Sequence, residues 1–174
     1  RLAERGVSSF WWPDHLVAFH SQELWDTGGI AQIQPDPHAY GDPFTCMAVC
    51  AEPAGAGLVG VCVTDPIRRM PATLLQTVMT LDHLAPGRVV LGAGEYANYG
   101  PYGVSVERPF RRFEEGAAQI RRFLDDAGPD EYGAVLGLRP PDGSTGPKLW
   151  IAAHGPRGLG VAGRYGDGWI PNFL

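Results

Sequence analysis

Four short segments of this 174-residue sequence carry side chains suited to polar chemistry. Asp14 and His15 directly follow the apolar, aromatic residues 7–12. A histidine at such a place can give a proton to a carbonyl oxygen, or take one, near neutral pH. The same pair would also serve as a helix-capping aspartate beside an exposed histidine. Gly92-Ala93-Gly94-Glu95 closes a second apolar run. Its glycines let a flat ring approach the backbone. Glu95 then stands at the mouth, where burial can raise a carboxyl into the range of a proton donor. A barrel bulge followed by a solvated carboxylate is the alternative. His154-Gly155-Pro156-Arg157 joins a strand end to a helix start. Backbone N–H groups and the helix dipole there suit an anion such as a phosphate, although the same residues make an ordinary turn. Cys62-Val63 lies late in a valine-rich run, where composition alone reads Cys62 as a buried thiol.

The elements that must position these residues alternate. Residues 7–12, 58–64, 89–91, 149–153 and 169–173 read as strands. Asp42 and Pro43 read as N-cap and first residue of a helix that continues on Phe44, Met47, Ala48 and Ala51 toward Pro53. Met70, Leu74, Val78 and Leu81 repeat at three and four and predict a helix over 67–84. Phe110, Phe113, Ala117 and Ile120 predict another over 109–124, and 155–165 reads as a short fourth. Residues 17–41 read as a long irregular excursion and 128–147 as a Gly/Pro-rich loop. Alternation of strands and helices predicts an α/β fold with parallel strands. A doubly wound sheet would show a Gly-x-Gly-x-x-Gly after its first strand, which is missing there. The polar and glycine residues instead gather at the C-terminal ends of several strands, as in a (β/α)8 barrel. A partial TIM barrel forming one incomplete domain over 1–174 is the expectation.

Composition narrows the function. Net charge is −5, and the Arg111-Arg112 and Arg121-Arg122 pairs alternate with Glu114-Glu115 and Asp125-Asp126. That pattern reads as a solvated helix face rather than a nucleic-acid surface. Cys46, Cys50 and Cys62 form no Cys-x-x-Cys pair, so buried thiols in a reducing cytoplasm are expected. His20, His38 and His83 have no partners at metal spacing, and no metal site is expected. No apolar run is long enough for a membrane span, and the opening Arg1-Leu-Ala-Glu-Arg-Gly6 reads as the end of a helix rather than a secretory signal.

The segments FWWPDHL, GVCVTDPIRRMPATLLQTVMTLDHLAPGRVVLGAGE, NYGPYG, RPFRRFEEG and WIAAHGPRGLGVAGRYGDGWIP resemble the luciferase-like flavin and deazaflavin oxidoreductase superfamily. GVCVTDP, PYGV, RFEE and AAHGPR carry a narrower likeness to phthiodiolone-type ketoreductases that use the deazaflavin coenzyme F420. The resemblance implies strands two to six of a (β/α)8 barrel and a homodimer. It also implies a non-prolyl cis peptide at Cys62-Val63 against the ring. Asp14 and His15 would lie beside the deazaflavin head, Gly94, Glu95 and Asn98 at the fourth family strand, and Ala153, His154 and Gly155 near the cofactor at the fifth. Hydride transfer from reduced F420 to a small-molecule carbonyl is the implied reaction, with Glu95 or His15 as the acid. An FMN-dependent monooxygenase of the same fold and a non-catalytic flavin-binding remnant are the alternatives. Relatives commonly read L-G-x-G-x-G-E where this sequence has Leu91-Gly-Ala-Gly-Glu95, two residues fewer. A partial barrel would also expose two sheet edges.

Overall fold

The computed structural model describes residues 5–18, 21–94, 99–126, 128, 133 and 137–171. Five strands form one parallel sheet in sequence order: β1 (Ser9–Trp12), β2 (Leu58–Thr64), β3 (Val89–Gly94), β4 (Lys148–Ala152) and β5 (Gly168–Ile170). A parallel sheet wound in chain order is the start of a barrel wall. Helices α2 (Pro43–Cys50), α3 (Pro71–Leu84), α4 (Pro109–Leu124) and α5 (Gly155–Tyr165) follow the strand order. The strands' alternate residues Val59, Val61, Val89, Leu91, Ala93, Leu149 and Ile151 meet Leu74, Val78, Phe113, Ile120 and Val161 of the helices in one core. The opposite, concave face carries Trp11, Gly60, Gly92, Trp150 and Gly168. Trp11 and Trp150 meet there with ring centroids 5.5 Å apart.

Local chemistry moves several boundaries away from the sequence reading. The 67–84 helix begins at Pro71, because Met70 precedes a proline and stays non-helical at ψ 134°. The 17–41 excursion is not structureless. It holds α1 (Gln22–Asp26), capped by Ser21, and a 3₁₀ turn at Gly29–Gln32. Trp25 Nε1 donates to Gln34 O at 2.7 Å and Gln22 Nε2 to Pro35 O at 3.0 Å, closing that hairpin. The third strand runs on through Gly92 and Gly94 rather than stopping at Leu91. Cys46 and Cys50 are half-buried and Cys62 is exposed, against the expectation of buried thiols. Asp42 caps α2 as expected, accepting from Thr45 N at 2.8 Å. The α4 charge pairs are surface ion pairs, Arg111–Glu115 at 2.8 Å and Arg121–Asp125 at 2.7 Å.

The N-terminal ends of the strands are pinned by polar clamps. Buried Asp82 of α3 accepts from Gly87 N at 2.9 Å and from Ser144 Oγ at 2.6 Å. Arg88 donates to Gly57 O and Ala51 O at 2.8 and 2.9 Å. Asp167 accepts from Leu149 N at 2.8 Å. Among the described residues no helix is long and apolar enough to cross a membrane, and no group of three His, Cys, Asp or Glu side chains could hold a metal.

Glycines separate packing from permissiveness. A Cβ on Gly92 would lie 2.1 Å from Val61 O, whereas one on Gly160, exposed in α5, meets nothing within 4 Å. Denaturant unfolding should show Gly92→Ala losing about 3 kcal/mol. Gly160→Ala should gain about 0.5–1 kcal/mol as a helix-interior replacement.

Candidate active site

The polar groups and the irregular backbone meet at the C-terminal ends of β1, β2 and β3. Between Val61, paired with Leu91, and Thr64, paired with Ala93, the register of β2 shifts. Two β2 residues, Cys62 and Val63, thus oppose the single Gly92. Bulges of this kind re-aim side chains beside active sites. The Cys62–Val63 peptide is cis, the geometry that the resemblance implies at this place. Gly92 has no room for a side chain because Val61 O occupies it. A Cβ on Gly94 would meet Val63 Cγ2 at 3.1 Å and Ala152 Cβ at 3.2 Å. The floor here is therefore made of Gly94, Ala152, Val63 and exposed Cys62.

Asp14 is the most constrained of the expected site residues among those described. It is 4% exposed, and both carboxylate oxygens are engaged. Thr64 Oγ1 donates to Oδ2 at 2.6 Å, Arg69 Nε to Oδ2 at 2.7 Å and Arg69 Nη2 to Oδ1 at 2.9 Å. Arg69 Nη2 also reaches Asp42 Oδ2 at 2.8 Å, which ties the end of β1 to the N-cap of α2. Burial works to push the Asp14 carboxyl up. Hydrogen bonds from Arg69 and Thr64 and the charges of Arg69 and Arg68 outweigh it, and the group lies below its ordinary 3.8. Asp14 thus binds β1, β2 and α2 together and is not a helix cap.

His15 follows on the same turn, half-buried, with its ring 5.4 Å from Tyr40 in an edge arrangement. Burial lowers its pKa, the positive charge of Arg68 lowers it further, and Asp14 opposes both. Its imidazole is therefore neutral near neutral pH, able to donate one hydrogen bond and to accept a proton. Burial, with a smaller effect of Tyr102, raises the Tyr40 phenol and keeps it protonated.

The other expected residues divide. Glu95 and Asn98 lie outside the described residues. The Ala153 side chain faces the helical core, and its carbonyl accepts from Trp169 Nε1 at 3.0 Å. His154 is the exposed N-cap residue of α5, and Gly155 starts that helix with φ +65°, a conformation that favours glycine. Arg157 in the same first turns lies over the Phe110 ring at 4.2 Å. Sequence reasoning missed Arg68, Arg69 and Tyr102. The signal was present as Asp65-Pro-Ile-Arg68-Arg69 after a strand. The apolar repeat of α3 absorbed those arginines into a helix that begins later.

The profile of the luciferase-like monooxygenase family matches residues 1–174. A phthiodiolone/phenolphthiodiolone dimycocerosates ketoreductase of Mycobacterium sp. (strain JLS) is 40% identical over 181 residues, covering 96% of this chain and 48% of the relative. A 5,10-methylenetetrahydromethanopterin reductase of Archaeoglobus fulgidus is 33% identical over 124 residues, covering 66% of this chain and 36% of that protein. The chain thus spans about half the length of the ketoreductases it matches. Among solved structures, an F420-dependent secondary alcohol dehydrogenase in complex with an F420-acetone adduct superposes with TM-score 0.75 at 22% identity, covering 97% of this chain and 50% of that one. The EDTA monooxygenase from Chelativorans sp. BNC1 does so with TM-score 0.73 at 18% identity, covering 98% and 46%. These likenesses show the fold, a luciferase-like TIM barrel of which the five strands form part.

The Asp14 pairing makes a signed prediction. Because the native carboxyl lies below its ordinary value, its contribution to stability is full above pH 3.8 and is lost as pH falls through the native pKa. Asp14→Asn should cost about 3 kcal/mol at neutral pH. In urea unfolding across pH, the gap between variant and parent should be level above that value and narrow below it.

Proposed function

Since the chain belongs to the luciferase-like monooxygenase family, we propose that it forms part of an F420-dependent oxidoreductase that reduces a small-molecule carbonyl. The observation that carries this reading is the 40% identity to a ketoreductase across 96% of the chain. The local geometry supports it. A cofactor ring would lie against the floor made by Cys62, Val63, Gly94 and Ala152, where small side chains let a flat molecule approach the backbone. The first turn of α5, with Gly155 at its start, would take an anionic group of the cofactor. When bound, the reduced deazaflavin supplies the hydride.

The protein's own residues would orient the carbonyl and move the proton. His15, neutral because of burial and Arg68, would hold the substrate oxygen by a hydrogen bond from its ring N–H. In the reverse direction, alcohol oxidation, the carboxylate left on Glu95 would take the proton back. Glu95 is the proposed proton donor for reduction, and Asn98 a cofactor-side polar contact. Asp14 fixes the turn that carries His15 through its bonds to Thr64 and Arg69.

Titration of the whole protein with F420 and with FMN, followed by fluorescence, tests the cofactor. F420 should bind the more tightly, and a ketone should accelerate oxidation of its reduced form. Tighter FMN binding with ketone-independent oxygen consumption would instead favour a monooxygenase. Glu95→Gln should lower ketone reduction by about 100-fold, the scale of general acid catalysis. Unchanged turnover would remove Glu95 from the mechanism.

A further inference from the structure

His15 sits between two backbone contacts made by groups that belong to other strands' loops. On one side, Arg68 Nη2 donates to Asp14 O at 2.9 Å. On the other, Leu16 N donates to Tyr102 Oη at 3.1 Å. The two gripping side chains touch each other, with the Arg68 guanidinium 4.4 Å from the centre of the Tyr102 ring. Arg68 is itself held, since its side chain is only 8% exposed and its Nε pairs with the Asp65 carboxylate. Asp65 in turn accepts from Ile67 N and Arg68 N at 3.0 and 2.7 Å, which fixes the loop that delivers Arg68. Tyr102 ends a 3₁₀ turn, Gly100–Tyr102, in the connection that follows β3.

We propose that Arg68 and Tyr102 are a positioning pair that grips the backbone on both sides of His15 and sets where its imidazole stands. The pair brings the β2–α3 and β3–α4 connections onto one turn of β1. It therefore makes the placement of His15 depend on the same connection that carries Glu95 and Asn98. A guanidinium stacked on a phenol ring and hydrogen-bonded through a fixed fork resists displacement better than a lysine ammonium on a flexible stem. Misplacement by an ångström is enough to cost about 100-fold in rate for a group that must meet a reacting atom.

Charge and position are delivered together. Among the described residues, Asp14 on its own turn, Arg68 from the loop after β2 and Tyr40 from the segment before α2 act on His15, and Tyr102 from the loop after β3 bonds the next residue, Leu16. Asp14 is committed to Arg69, which also bonds Asp42. Arg68 is the cation among them that opposes protonation of His15.

The role of His15 in turnover rests on the proposed reductase activity, but its placement does not. The test therefore begins without cofactor. The whole protein is labelled at histidine with ¹³C, the His15 signal is assigned by loss in His15→Gln, and its titration is followed by NMR in Arg68→Met, Arg68→Lys and Tyr102→Phe. Arg68→Met should raise the pH at which His15 titrates. Arg68→Lys should keep that pH near the parent's yet broaden or shift the signal, because charge remains while the fork and stack are lost. Tyr102→Phe keeps the ring under Arg68 and removes only the acceptor, so it should fold and still displace the His15 signal. In F420-dependent turnover, Arg68→Met and Tyr102→Phe should lower kcat with little change in F420 affinity, by about 100-fold for Arg68→Met. A His15 signal and titration unchanged in folded Arg68→Met and Tyr102→Phe would overturn the positioning role, whatever the cofactor proves to be. An altered His15 signal in a protein that shows no F420-dependent activity would uphold the clamp and count against the reductase reading alone.

Discussion

A carboxylate taken almost wholly out of water at the end of a strand has to be answered by charge and hydrogen bonds from its neighbours. Asp14 is that group. Its partners come from β2, through Thr64, and from the loop that opens α3, through Arg69 and Arg68. Arg69 passes the constraint on to Asp42, which is already bound to Thr45 as the cap of α2. One charge therefore dictates the relative placement of a strand end, two helix starts and a loop. Removing any partner would leave a buried ion short of compensation, so the elements can be rearranged only together. His15 inherits its place from this arrangement because it is the next residue on the same turn.

The two ends of the sheet use polar groups differently. At the N-terminal ends, Asp82 and Arg88 bind backbone groups of nearby turns, and Asp167 binds the amide of Leu149 in β4. Each such clamp satisfies donors or acceptors that chain reversal would leave unpaired. At the C-terminal ends, the network around Asp14 leads to an imidazole, a bulge and a helix N-terminus. In a barrel the C-terminal ends hold chemistry and the N-terminal ends hold stability. The distribution of partners in this chain follows that division.

Most of the fold was legible because it rests on periodicity. The apolar repeat of α3, the valine-rich runs of β2 and β3, and the Asp42-Pro43 cap each state their element within a few residues. Asp14 and His15 were singled out because polar residues follow a strand there, and the cis Cys62–Val63 bond because the family resemblance implies it. What sequence could not display was the connection across distance. Arg69 is 55 residues from Asp14, and Tyr102 is 86 from Leu16. No local pattern pairs them. The start of α3 was misplaced for a related reason, since the Asp65 carboxylate captures the amides of Ile67 and Arg68 before the helix begins. The hairpin in the 17–41 excursion was hidden because Trp25 and Gln22, not an apolar stripe, hold it.

The glycines of β3 show how one residue type can serve two different needs on one strand. Gly92 and Gly94 both read as openings for a flat ring. Gly92 is accounted for by the protein itself, since Val61 O stands where its Cβ would be, at the register shift of β2. Gly94, one pleat nearer the strand's end, faces the Val63 and Ala152 side chains instead. Below them the concave face is filled by large rings, with Trp11 over Gly60 and Trp150 over Gly168. The tryptophans of this face thus lie over glycines of neighbouring strands, while Ile170 Cδ1 stands 3.0 Å from where a Gly92 Cβ would be. A bulge forced at β2 requires a glycine opposite it. Beyond it Gly94, Val63 and Ala152 pack against one another, and Cys62 of the bulge is exposed. The shape of the floor and the placement of the imidazole thus have separate causes, the bulge for one and the buried Asp14 charge for the other, and both meet in β2 within three residues, at Cys62, Val63 and Thr64.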